Sequence, residues 1–335
     1  MKKTGKSKLT MREIAESEGV SHTTVSFVLR ERDMGIGAAT KEKILRRAIS
    51  LNYHTRSDQR INLQSDRVLF LVPHYNDIYG KDSYAGRLFS QMASMEKESG
   101  FQIVLHTSME RDIIRSLYRG VCEDGASAVI PVNLSYDELE NVVNLSPVPV
   151  ISIYMWPGDI CSRIGFDDVW IGEEAARQFF LSGHRKAAAF TTSKFLHHRS
   201  EGFRDEWKKL GGKFTNISVD SNLTPDVVSE KLTTILNRKC DFTALFCGND
   251  NLCMGAMNAI YKCGLSVPDD ISIIGCDNLG FTRYSHPPLS TFHINAETHA
   301  KQLLDGVRRL IKNHNEKIFI SNKADFISRE SILKL

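Results

Sequence analysis

The sequence predicts an α/β protein: a small helical head joined to a larger body of doubly wound parallel sheets in two lobes. Three observations carry that expectation. Charge is divided along the chain, with a net +6 over residues 1–64 and a net −3 over the remaining 271. The first 55 residues read as short helices with cap and turn signals between them. Beyond Asp66, uniformly apolar runs of 5–8 residues alternate with helical segments, the pattern of strands buried on both faces of a parallel sheet.

Length and composition bound the rest. A chain of 335 residues suits about two domains, or three if one is small. Hydrophobic residues at 41% and charged residues at 25% match the globular average. They exclude a mostly disordered chain, a collagen-like chain and a small disulfide scaffold. No run approaches the length of an apolar membrane span, and no membrane partner is expected. The basic N-terminus, MKKTGKSKLT, lacks the apolar core of a signal peptide, which places the protein in the cytoplasm. Seven cysteines include no CxxC pair and no zinc-finger spacing, so they read as buried or free thiols. No cofactor and no metal site is expected. The basic head on a mildly acidic body suggests a nucleic-acid module.

Within the head, Thr10-Met11-Arg12-Glu13 forms a capping box that opens a first helix. Gly19 ends it, and Ser21 caps the next. A second helix, His22 to Arg30, places Val25, Val28 and Leu29 on one face. A third, Lys41 to Leu51, carries Ile44, Leu45, Ala48 and Leu51 at helical spacing. Two short helices joined by a glycine-containing turn, with small polar residues opening the second, are the helix-turn-helix signature. Those small residues let phosphates approach the helix N-terminus. The segment GIGAAT (35–40) imitates a nucleotide-binding glycine loop but follows a helix instead of a strand, so that reading fails.

The body offers strand-like runs at Val68–Val72, Ile103–His106, Ala128–Val132, Val148–Tyr154, Ala187–Thr191, Thr243–Cys247 and Ile271–Gly275. Helical segments separate them: Tyr84–Ser99, Ile113–Cys122, Tyr136–Leu145, Ile171–Leu181, Ser200–Leu210, Pro225–Asn237 and Leu252–Cys263. About 270 residues exceed one ordinary sheet and imply two lobes with a cleft. Ligands of such folds bind beyond the carboxyl ends of the strands.

The run LTMREIAESEGVSHTTVSFVLRERDMGIGAATKEKILRRAISLNY resembles the headpiece of the lactose-repressor (LacI/GalR) family of bacterial transcription regulators. FCGNDNLCMGAMNAIYKCGLSVPDDISIIGCDN (246–278), Ser182-Gly183-His184-Arg185, Arg199 with Gly202-Phe203, Pro287–Thr291 and Arg329-Glu330-Ser331 extend the resemblance over nearly the whole chain. It implies a headpiece over 1–55, a hinge or linker over 56–66, and a two-lobed, periplasmic-binding-protein-like effector-binding and dimerisation domain over 67–335. The chain would cross between lobes near Ile160, Thr291 and Ser321.

The resemblance also implies sites. His22, Thr23 and Phe27 would point at base edges, with Thr10, Ser21, Thr24 and Ser26 as phosphate contacts or caps. A family arginine that grips guanine is frequent where Phe27 stands; Phe27 could instead pack on a thymine methyl. In the linker, Arg56 and Arg60 would meet phosphates and Leu63 would wedge the minor groove. The usual Pro-Asn is absent there, leaving a flexible linker as the alternative. In the sensor, Tyr84, Tyr154, Phe166, Arg199, Asn249 and Asp277 would hold an effector, with Trp156 and Trp170 as stacking surfaces. Asp250 would cap the following helix.

The expected function is a sequence-specific DNA-binding regulator, a repressor by family habit. It would bind double-stranded DNA at a palindromic operator as a homodimer, its affinity set by a small-molecule effector, a sugar, in the interlobe cleft. A regulator with a degenerate pocket under a protein partner, and a sugar-binding receptor, stand as alternatives. No catalytic residue is expected: GxSxG, P-loop and HExxH are absent.

Overall fold

The computed structural model describes residues 10–32, 34–53, 66–74, 83–108, 112–155, 158–191, 197–218, 224–238 and 241–335. Its first three helices form the head. Helix α1 (Met11–Glu18) starts at the expected capping box: Glu13 N–H faces Thr10 Oγ1, and Thr10 N–H donates to Glu13 Oε2 at 2.6 Å. It ends at Gly19, whose φ of +65° favours a residue without a Cβ. Ser21 caps α2 (His22–Leu29) by accepting the Thr24 N–H at 3.0 Å. Helix α3 runs Ala38–Ser50. It begins three residues ahead of the expected Lys41, because Gly37 holds the N-cap position with no side chain to announce it. Ile14, Val25, Val28, Leu29, Ile44, Leu45 and Ala48 are buried as their spacing predicts; Ile49 joins this core and Leu51 is only half-buried.

Chain contacts divide the molecule into two units. Unit 1 holds the head, residues 88–164 and residues 299–319. Its body centres on β1 (Arg67–Leu71), paired in parallel with β2 (Gln102–His106) and β3 (Ala128–Pro131). Around them run α4 (Tyr84–Ser94), which straddles the unit boundary, α5 (Glu96–Ser99), α6 (Ile113–Tyr118) with a π-helical turn at Arg119–Glu123, and α7 (Tyr136–Leu145). A small sheet combines β4 (Ile151–Tyr154), β5 (Ser162–Phe166) and β11 (Phe319–Asn322). The unit boundaries fall inside β5, inside β11 and between Thr298 and His299, close to the expected crossings. Helix α12 (Ala296–Lys312), which spans the boundary at Thr298, was not among the expected helices.

Unit 2 is one six-stranded sheet of order β12-β10-β9-β8-β6-β7. The strands are β6 (Lys186–Thr191), β7 (Lys213–Ser218), β8 (Ala244–Phe246), β9 (Ser272–Cys276), β10 (Ser290–His293) and β12 (Asp325–Ile327). All pairings are parallel except β10 with β12. From β6 the chain moves outward to β7, then returns past β6 to β8, so the topological switch point lies between β6 and β8. Helices α8 (Asp168–Leu181) and α9 (His197–Lys209) contribute Ile171, Ala175, Phe179, Phe203 and Trp207 to one core cluster. Helices α10 (Pro225–Leu236) and α11 (Asp250–Lys262) contribute Val228, Leu232, Leu252 and Ala256 to another. Strand β7 escapes sequence reading because its edge position leaves it polar, as sheet edges commonly are.

Helices α8 and α9 meet backbone to backbone. A Cβ on Gly172 would overlap the Arg199 carbonyl oxygen, and one on Gly202 would overlap the Val169 carbonyl oxygen. No flexible side-chain tip can yield there, so the helices themselves would have to part. Gly172→Ala is therefore expected to destabilise the chain by at least about 2 kcal/mol, in the range of overpacked cores. Denaturant unfolding measures this; an unchanged midpoint would contradict the close crossing.

Candidate nucleic-acid interface and effector site

Helix α2 presents its beginning to solvent and its middle to the head core. His22 and Thr23 are exposed, Thr24, Ser26 and Phe27 are half-buried, and Val25 is buried. The Ser21 cap leaves Ser21 Oγ 2.8 Å from Thr24 Oγ1, so these hydroxyls serve the helix end that the sequence assigned to caps or phosphates. Thr10 is engaged likewise at α1. Phe27 lies on the same side as Thr23, one turn along, where a half-buried ring extends an apolar surface. Its register allows contact with a groove but supplies no hydrogen bond. Arg56, Arg60 and Leu63 lie outside the described residues. Sequence reading missed the start of α3, where no side chain caps the helix at Gly37. An N-terminus of this kind favours anions through its N–H groups and dipole.

The second site is built on unit 2. Arg199 is the third residue of α9, placed just after β6 at the switch point. Its Nη1 donates to the carbonyl of Gly248, just beyond β8, at 2.8 Å, so one guanidinium bridges the two strand ends. Nε donates to Asp168 Oδ1 at 2.6 Å, and Asp277 Oδ1 lies 3.6 Å from Nη1. Asp168 is available because its neighbour Asp167 already caps α8 by accepting the Trp170 N–H. Asp168 was not singled out from the sequence; the paired aspartates could have signalled it, since only one is needed at the cap. Arg199, Asp168 and Asp277 are all buried, and each charge there needs its partners. Burial opposes the Arg199 charge, yet Asp168 and Asp277 hold its guanidinium protonated well above the ordinary arginine range.

Asp277 and Asn278 follow β9 with φ of +109° and +50°, a backbone region that side chains other than glycine rarely adopt. Surrounding donors hold them in place. Arg87 Nη1 donates to the carbonyls of Asp277 at 2.8 Å and Asn278 at 3.2 Å, and Arg329 Nη2 donates to Asn278 Oδ1 at 2.6 Å. Neither Arg87 nor Arg329 was foreseen in this role. Two arginines, Arg87 and Arg199, thus stand with two carboxylates, Asp168 and Asp277, in one cluster.

Several expected residues take other roles. Asn249, expected to bind effector, caps α11: its Oδ1 accepts the Leu252 N–H at 2.9 Å. Asp250, expected to cap, is fully buried, accepting from Leu279 N–H at 2.8 Å and Thr291 Oγ1 at 2.6 Å. The cap expected of Asp250 is taken by Asn249, whose backbone is extended there. Phe166 belongs to the unit 2 core, and Tyr84 packs against that core. Trp170 meets Phe292 edge-on at 6.2 Å, with Lys323 Nζ 5.1 Å from its ring centre. Tyr154 lies in unit 1, where its hydroxyl donates to Asn133 Oδ1 at 2.6 Å. Trp156 lies outside the described residues. Among the described residues there is no cluster of three metal-ligating side chains, and no helix is long and apolar enough to cross a membrane.

Comparison with known proteins gives two family matches. Residues 10–56 match the bacterial regulatory proteins of the lacI family, and residues 176–332 match a periplasmic binding protein-like domain. The HTH-type transcriptional repressor PurR of Photobacterium profundum is 24% identical, over 97% of this chain and 99% of its own. A transcriptional regulator CelR–cellobiose complex superposes with a TM-score of 0.72 at 21% identity, covering 96% of this chain and 99% of that one. The lac repressor dimer bound to operator and the anti-inducer ONPF does so with 0.71 at 20% identity, covering 97% and 99%.

Burial pushes Asp250 up to about 8 and Asp277 up to about 6, from an ordinary carboxyl value of 3.8. Between the ordinary and raised values the folded chain holds protons that the unfolded chain has released. These groups therefore make stability fall as pH rises from about 4 to about 8. Asp250→Asn removes the larger contribution while keeping an acceptor for Leu279. Thermal unfolding from about pH 5 to about pH 8 should show the variant gaining on the unmodified chain as pH rises. A difference that stays constant or runs the other way would contradict this assignment.

Proposed function

We propose that the chain is a DNA-binding transcriptional repressor of the LacI family, that it grips a palindromic operator as a homodimer, and that a neutral carbohydrate held on unit 2 sets that grip. The observation that carries the effector reading is the buried Asp168–Arg199–Asp277 cluster, with Arg87 beside it, at the switch point of the unit 2 sheet. Arg199 supplies planar donors and Asp277 supplies acceptors, a combination suited to vicinal hydroxyls. The cellobiose complex of CelR is consistent with that class of ligand.

Dimerisation follows from the reading geometry. One helix-turn-helix covers one half-site, and two-fold symmetry doubles it onto a palindrome, as in the operator-bound lac repressor dimer. In this reading His22 and Thr23 address base edges, Phe27 packs on a thymine methyl, and the α3 N-terminus meets a phosphate. Residues 56–66 link the head to the body, with Arg56, Arg60 and Leu63 on the DNA side. Such a regulator works in the cytoplasm and performs no catalysis. A second reading, regulation without a small effector, draws support from Asn249 and Tyr154, whose side chains already have protein partners.

Genome-wide DNA selection with the purified chain tests the proposal. The expected result is a palindrome of about 20 base pairs bound at least ~1000-fold above random DNA. Failure to enrich a palindrome would contradict the operator reading. On the recovered site, Phe27→Ala should weaken specific binding by about tenfold, the cost of one mismatched base pair, and leave non-specific binding unchanged. Equal losses on both would remove Phe27 from base reading.

A further inference from the structure

The reading helix has a second end, and the body holds it. Where α2 finishes, its last carbonyls lack helical partners and carry the negative end of the dipole. Arg115, on α6 in the body of unit 1, donates from Nη1 to the Val28 carbonyl there at 2.9 Å. Glu31 follows, in left-handed backbone at φ +54°. Arg119, at the start of the π-helical turn, grips the Glu31 carboxylate with two parallel bonds, Nε to Oε1 at 2.8 Å and Nη2 to Oε2 at 2.6 Å. Arg115 Nε stands 3.8 Å from the same carboxylate. Farther along, Arg46 of α3 reaches Asn141 of α7 at 3.4 Å, and Cys122 Sγ lies 3.9 Å from the Ala48 carbonyl. A cavity of about 950 Å³ opens between head and body, bordered by Phe27, Lys41 and Arg46 on one side and Thr107, Asp112 and Arg115 on the other.

The two ends of α2 are therefore differently committed. His22 and Thr23 are exposed, whereas Val28 and Glu31 are clamped to the body. His22 and Thr23 lie at the end away from the clamp, while Phe27 borders the cavity beside it. We propose that Arg115 and Arg119 are positioning residues for DNA recognition: they fix the head on α6 by the far end of the reading helix, so that the docked head is the operator-competent one. The clamp is a second connection between head and body, separate from the covalent linker. It removes orientational freedom that a tethered head would otherwise lose on binding DNA. Forked arginine–carboxylate geometry suits this task because it specifies angle as well as distance.

This proposal rests on the operator reading above. The test compares the unmodified chain, Arg119→Glu, and the double variant Glu31→Arg, Arg119→Glu on the selected operator at fixed salt. Arg119→Glu sets two carboxylates against each other and should weaken operator binding about tenfold. The double variant restores both the pair and the net charge, and should return to within about threefold of the unmodified chain, since an exposed pair differs little by orientation. Operator affinity that is unchanged or tighter in Arg119→Glu would overturn the proposal, as would a double variant no better than the single one. Hydrogen exchange at Arg30–Arg32 in the DNA-free full chain supplies an independent reading: faster in Arg119→Glu and restored in the double variant. If no operator exists, the proposal falls with the operator reading, but exchange still reports whether the clamp forms.

Discussion

Unit 2 depends on the backbone contact between α8 and α9. Gly172 and Gly202 let the two helices approach until carbonyl oxygens occupy the space where side chains would stand. That approach brings Asp168, at the start of α8, against Arg199, near the start of α9. A buried arginine without a carboxylate partner is costly, so helix packing and charge pairing stabilise each other. The crossing also fixes Arg199 over the gap between β6 and β8, where the Gly248 carbonyl receives it. Asp277 completes the cluster from the end of β9. Its left-handed backbone is held from outside by Arg87, while Arg329 secures the neighbouring Asn278. The site is thus preorganised by packing before any ligand arrives.

The head is held together differently. Its core is small, and much of its definition comes from helix ends: the capping box at Thr10, the serine cap at Ser21 and the arginine at the last carbonyls of α2. Polar groups at one end of α2 remain open to a duplex, and those at the other end belong to the protein. Contacts between α6 and α2 join the head directly to the rest of unit 1.

Much of this was legible in the residues. Capping signals and apolar spacing located the head helices, and apolar runs located β1, β2, β3, β4, β6, β8 and β9, while the inner strand β10 was missed. Edge strands and the short crossing strands escaped, because polar or brief segments carry no periodic signal; β7 and β12 are examples. The start of α3 was hidden by a glycine that caps without a side chain. Of the site residues, Arg199 and Asp277 are brought together, because both follow strand ends of one parallel sheet. The helix cap falls on Asn249 and not on Asp250, because adjacent polar residues at a strand–helix junction look alike until the backbone shows which one takes the cap. Arg87 comes from a distant segment, and no local pattern could announce its bonds to the end of β9.

Regulation requires that the ligand prefer one state of the protein over another; equal affinity for both would shift nothing. The central claim is therefore a linkage between the Arg199 cluster and DNA. Operator affinity measured against a panel of neutral mono- and disaccharides tests it most directly, with the unmodified chain beside the double variant Asp168→Asn, Arg199→Met, which removes both charges of the buried pair. At least one sugar should change operator affinity by tenfold or more, a coupling of about 1.4 kcal/mol, and the double variant should bind operator but ignore the sugar. A panel without effect on the unmodified chain, or a sugar response that survives in the double variant, would contradict that linkage.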